Sequence, residues 1–166
     1  MSTLTLTKEE TDKLDKLIHD IGVAMIVTKS PDGSLHSRPM ACPKHSFDGN
    51  LYFFTAEESL KAHEVEFDSQ VNIALAEPKT ERYVSMSGRA SVVKDAVRAR
   101  EMWNPLMKGW FPDGPDDRSL ALLKVEIEHA EYWDAKSSRM LVLFSLAKAS
   151  LGGKAPTHLG DHKNLG

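Results

Sequence analysis

Four side chains in this sequence could together hold a phosphate: Arg38, Thr55, Ser59 and Lys61. The last three fall in TAEESLK, residues 55–61, between an aromatic run and a helix-like segment. A lysine in the first turn of a helix sits at the positive end of the macrodipole, the wrong end for a cation. An anion there would satisfy the lysine and the free backbone N–H groups together. Arginine adds a planar fork of donors matched to phosphate oxygens. A second reading needs no ligand. Thr55 would cap the helix with Glu58, and Lys61 would pair with Glu57 or Glu58 at the surface. Residue chemistry alone leaves both open.

Other candidates have comparably plain alternatives. Trp103, Trp110 and Trp133 could pack in a core or cover a flat ligand. Trp133 follows Tyr132 in a strand-like run, so one of the two faces inward and the other outward. Gly88, inside VSMSGRA, predicts a bulge or the close approach of another group. Cys42-x-x-His45 and His158-x-x-x-His162 have ligand-like spacings, but they lie far apart, so a zinc site is not expected. DGPDD lacks the calcium-loop pattern, and no Walker A, G-x-S-x-G or G-x-G-x-x-G is present.

The elements that must position these groups are legible from patterning. T-x-x-E at Thr7–Glu10 is a capping box that opens an amphipathic helix to about Asp20. GVAMIVTK reads as a buried strand and SPDGS as a turn, with Gly33 permitting positive φ. SLHSRPMACP reads as an extended segment placed by Pro39 at an edge or bulge. FDGN is a second turn and LYFFT a third strand. Successive hairpins would set the Arg38 strand beside the strand ending at Thr55. A helix over about 60–67 and a strand VNIALAE follow. In ERYVSMSGRASVVKD, Val84, Met86, Gly88, Ala90 and Val92 share one face. DAVRAREMWNPLM predicts a helix ending before Pro105, and GWFPDGPDD a loop. LLKVEIE and AEYWDA read as strand, while RMLVLFSLAKASL fits strand or helix. From Gly152 the tail has little to pack and is expected to be mobile or strapped over a partner. The pattern predicts a mainly β antiparallel barrel or sandwich with accessory helices, in one domain spanning 1–166.

The 166 residues carry a net charge of −3 and no basic stripe, so nucleic acid is not expected as a partner. The single cysteine, Cys42, rules out an intramolecular disulfide. The N-terminal stretch has no signal-peptide pattern, and the longest apolar runs are too short to span a bilayer. A soluble, cytoplasmic protein with no membrane association is expected.

FFTAEESLK resembles the aromatic-Thr-x-x-x-Ser-x-Lys stretch of the pyridoxamine 5′-phosphate oxidase-like, FMN-binding split-barrel superfamily. HSRPM, LYFFTA, VSMSGRA, WFPDGPDD and AEYWDA follow in the family's order, and the chain is most similar to its general stress protein branch. The resemblance implies a six-stranded antiparallel Greek-key split barrel, homodimeric, with flavin at the subunit interface. It implies that Arg38, Ser59 and Lys61 bind the flavin phosphate. Pro39 and Met40 would run along the isoalloxazine edge, with Phe54 and Thr55 beside the cofactor. Trp133 would line the pocket from the other subunit, and Arg139 would lie near the substrate side.

The sequence also departs from the oxidases. VRAREMWNPLMKGW, residues 97–110, lacks the Tyr, Arg and Ser set that grips the substrate phosphate. Pro43 stands where a lysine is expected, and Tyr83 where a glutamine reaches the flavin. The resemblance therefore implies FMN binding, with FAD admissible in an open pocket, but not oxidation of pyridoxamine phosphate. A flavin oxidoreductase of unknown substrate, a non-catalytic flavin sensor, and a haem- or deazaflavin-binding relative are the functions to separate. Arg38 and Lys61 are both expected outside the core.

Overall fold

The computed structural model describes residues 6–134 and 161–165. RMLVLFSLAKASL, Arg139, His158 and the first part of the tail lie outside the described residues. Helix α1 spans Lys8–Ile21, with the capping box at Thr7 and Glu10 closed in both directions. Strands β1 (Val23–Lys29), β2 (Leu35–Ala41) and β3 (Asn50–Ala56) follow. Then come α2 (Leu60–Phe67), β4 (Gln70–Glu77), β5 (Arg82–Val93) and α3 (Ala96–Glu101). Helix α3 stops at Glu101, short of the expected end before Pro105, and a 3-10 turn, Pro105–Gly109, follows. The missing N–H and fixed φ of Pro105 suit it to restart a turn rather than extend α3. Strand β6 runs unbroken over Leu120–Asp134, joining the two segments read separately from sequence.

The sheet order is β2-β1-β4-β5-β6-β3, antiparallel at every pairing. It forms the expected six-stranded, curled, mainly β split barrel. The first hairpin is as predicted, with Ile26 opposite Arg38 and Met25 opposite Pro39. Pro39 sits on an edge strand, where its missing donor is tolerated. The second expected hairpin does not form. β3 pairs with the first half of β6, Phe54 opposite Leu122, so β2 and β3 are the two ends of the sheet. A short turn permits a hairpin, but tertiary burial selects the partner. A seventh strand, β7 (Asp161–Leu165), pairs with Ala130–Asp134 of β6, which gives the end of the tail a place in this chain's own sheet.

Alternation builds the core. Ile26, Phe53, Ile73, Met86 and Leu123 are fully buried inside the curl, closed by Leu14, Leu17 and Ile18 of α1. LYFF is apolar throughout because both its faces are covered. Leu51 and Phe53 point into this core, while Tyr52 and Phe54 join a second cluster with Ala99, Met102 and Phe111. In β5 the shared face holds through a register shift between Ser87 and Gly88. A Cβ on Gly88 would collide with the Glu126 backbone carbonyl, so the glycine serves both a bulge and a close approach. Tyr132 is buried and Trp133 partly exposed, as alternation requires. Gly88→Ala is expected to lower unfolding free energy by about 1–3 kcal/mol, the usual range for overpacking, read from the urea midpoint at unchanged m-value.

Candidate functional site

A cleft of about 530 Å³ lies between the two unpaired ends of the sheet. Residues 38–41 of β2, residues 54–56 of β3 and Lys61 of α2 line one side. Asn104, Leu106, Met107, Trp110 and Phe111 line the other. Of the residues proposed from sequence, Arg38, Pro39, Met40, Phe54, Thr55 and Lys61 therefore share one cavity. They meet across the split of the barrel, not across a hairpin. Ser59 stands directly behind them. It is the N-cap of α2, accepting from the Ala62 N–H at 3.3 Å, and its hydroxyl lies 2.9 Å from that of Thr55. Thr55 is thus a buried neighbour of the cap rather than the cap itself. Trp133 does not line this cleft; it sits beside Tyr83 in the β5–β6 pairing, on the outer face of the sheet. Trp103 packs edge-on against Phe54 at 5.8 Å, and Trp110 is 72% exposed at the cleft mouth.

The surface pairing considered for Lys61 is not what the structure shows. Glu57 pairs with Lys94 at 2.8 Å, and Glu58 lies 3.3 Å from His63. Lys61 is instead partly buried in the cleft wall. Burial lowers the pKa of its ammonium, and the nearby positive charge of Arg38 lowers it further. Two cations at one helix N-terminus repel each other, and an anion between them would remove that repulsion.

Beneath Arg38 lies a network that sequence reasoning missed. Thr28, His36 and Arg38 project to one face of the β1–β2 hairpin, with Ser30 just beyond β1, and α2 lays Glu64 over them. Glu64 is 1% exposed. Its Oε2 accepts from Thr28 Oγ1 at 2.5 Å and Arg38 Nη2 at 2.8 Å. Its Oε1 accepts from Ser30 Oγ at 2.6 Å and His36 Nδ1 at 2.6 Å. Arg38 Nη1 also donates to Thr28 Oγ1 at 2.6 Å. Burial alone would raise the Glu64 pKa. The donors from Ser30, Thr28, His36 and Arg38 outweigh it and hold the carboxyl at about 2, against an ordinary 4.5. The available signal was a glutamate three residues after Lys61 and just before Val65, on the helix stripe where an apolar residue belongs. Arg38 itself is half-buried and outside the core, as expected, yet its removal would leave the buried Glu64 carboxylate short of a donor.

The arginines of the 97–110 segment are engaged elsewhere. Arg98 lies over the Tyr52 ring at 4.2 Å and donates to His45 Nε2 at 2.7 Å, and Arg100 pairs with Asp116 at 2.5 Å. Cys42 is partly buried, and burial pushes its thiol up to about 12, so it is not a reactive thiolate. Among the described residues no three His, Cys, Asp or Glu side chains group as a metal site. Nor is any described helix long and apolar enough to cross a membrane.

A curled antiparallel sheet split at a cleft with a cationic helix end defines a class of fold, and comparison with known proteins gives the family within it. Residues 9–157 match the family described as pyridoxamine 5′-phosphate oxidase like, and the chain belongs to that family. It is 30% identical over 161 residues to protein bli-3 of Neurospora crassa, covering 87% of this chain and 77% of that one. A general stress FMN/FAD binding protein of Xanthomonas citri is 28% identical, with TM-score 0.67 over 80% of this chain and 93% of its own. The general stress protein 26 of Bacillus anthracis is 26% identical, with TM-score 0.62 over 72% and 92%.

Glu64 also yields a pH prediction. Its folded pKa is depressed, so its contribution to stability is complete above about pH 4.5 and is lost as pH falls toward about 2. Glu64→Gln should be less stable than the parent by about 1–3 kcal/mol at pH 7, with the gap closing below pH 4.5. Urea titrations at pH 7, 4.5 and 3 check this.

Proposed function

We propose that this chain is a flavoprotein that binds FMN in the cleft between β2 and β3. The observation that carries the reading is the convergence of Arg38, Lys61 and the α2 N-terminus at one end of an otherwise largely apolar cavity. That donor set suits a phosphate monoester, and the apolar remainder suits a flat ring system. Arg38, Ser59 and Lys61 would hold the phosphate. Pro39, Met40, Phe54 and Thr55 would lie along the rest of the cofactor. The Xanthomonas citri relative, an FMN/FAD binding protein, supports the same assignment. The cleft's open side would admit FAD as well.

The protein functions as a homodimer in this reading. Val23 (53% exposed), Met25 (40%), Tyr83 (38%) and Trp133 (37%) lie on the outer face of the sheet. Trp133 is outside its own chain's cleft, so its place beside flavin would be in the partner's site. A bound flavin supplies hydride or electron transfer, and the chain supplies orientation and charge around it. Within residues 97–110, the arginines are turned away, and only Asn104, Leu106, Met107 and Trp110 face the cleft. This favours a stress-related flavin oxidoreductase with a substrate other than pyridoxamine phosphate, acting in the cytoplasm. The same lack of a clamp favours, as the second reading, a flavin-binding sensor without turnover. NAD(P)H consumption well above the free-flavin rate would eliminate the sensor.

Gel filtration with a visible spectrum tests the reading. The expected result is a dimer with flavin absorbance, whereas a haem or deazaflavin spectrum would overturn it. Lys61→Ala should weaken FMN about 10–100-fold, the range for a charge-assisted hydrogen bond, with an unchanged far-UV CD spectrum. Met25→Arg should give a monomer that also loses flavin; a monomer that retains it would remove the interface from the site.

A further inference from the structure

We infer that Glu64 is a positioning residue for anion binding in the cleft, orienting the Arg38 guanidinium toward the phosphate end of the ligand. The inference rests on the flavin reading above. Arginine has a long, flexible side chain and five N–H donors. Here Nη2 is held by Glu64 Oε2, and Nη1 by the Thr28 hydroxyl, which itself donates to that same oxygen. The three groups close a triangle. The carboxylate cannot swing, because Ser30 and His36 hold its other oxygen. The guanidinium is therefore fixed on one side, while Arg38 lines the cleft. Glu64 reaches no part of the cleft itself; it acts through Arg38.

Positioning and simple charge predict opposite signs. Removing a carboxylate near a cationic site strengthens its attraction for an anion. Loosening the arginine weakens recognition of a phosphate, whose oxygens need directed donors. The experiment is a fluorescence titration of FMN and riboflavin into the parent, Glu64→Gln, Arg38→Met and the double variant, at fixed salt. Riboflavin has the same ring system and no phosphate. The double variant removes both charges of the pair together, which avoids stranding the buried carboxylate.

Glu64→Gln is expected to weaken FMN about tenfold and to leave riboflavin within about twofold. Added to Arg38→Met, it should change FMN affinity by less than about twofold, because two residues acting as one unit are not additive. Unchanged or tighter FMN binding by Glu64→Gln would overturn the inference. So would equal weakening of both flavins, or the same weakening with and without Arg38. If Glu64→Gln does not fold, Thr28→Val decides, since it removes the other anchor of Arg38 and should again weaken FMN alone. A parent that binds neither flavin, or both equally, would instead sink the phosphate reading, and this inference with it.

Discussion

The structure turns on one buried carboxylate. Glu64 is 1% exposed yet ionised, which is tolerable only because four donors from β1, its following turn and β2 meet its two oxygens. A buried charge short of its partners would be among the most destabilising features a fold can contain. The network therefore specifies where α2 sits on the β1–β2 hairpin. Because Arg38 is one of the four donors and Lys61 lies one turn before Glu64 on the helix, the same constraint sets the two cations at one end of the cleft.

The cleft itself comes from the topology. A closed barrel would pair β2 with β3 and leave no opening. Here both are ends of the sheet, and β3 is held by β6 and by a second apolar cluster on its outer face. The gap between them receives residues from β2, β3, α2 and the segment after α3. No pair of these elements could make the site alone. The departures from the oxidases have a structural counterpart as well. Arg98 and Arg100, the arginines of the segment that would grip a substrate phosphate, are committed to Tyr52, His45 and Asp116.

Local patterns were legible where they have a single physical solution. The capping box at Thr7 and Glu10, the edge position of Pro39, the bulge at Gly88 and the inward–outward split of Tyr132 and Trp133 all follow from short-range geometry. The false step was the second hairpin. A turn near FDGN says that the chain reverses, not which strand it lies beside. That choice belongs to LYFF, which buries both faces only when paired with β6 and covered by α3 and the loop after it.

By itself, then, the sequence determined most element types and the antiparallel β class, since alternation, caps and breakers act within a few residues, while its resemblance to a family picked out Arg38, Pro39, Met40, Phe54, Thr55 and Lys61 of the cleft. Tertiary structure alone decided that Arg38 and Lys61 meet across a split, that β3 pairs with β6 rather than β2, and that Glu64 is the buried anchor. Those facts depend on contacts between segments distant in the chain. A glutamate in a short helix reads as a surface residue until the fold shows that four donors are waiting beneath it.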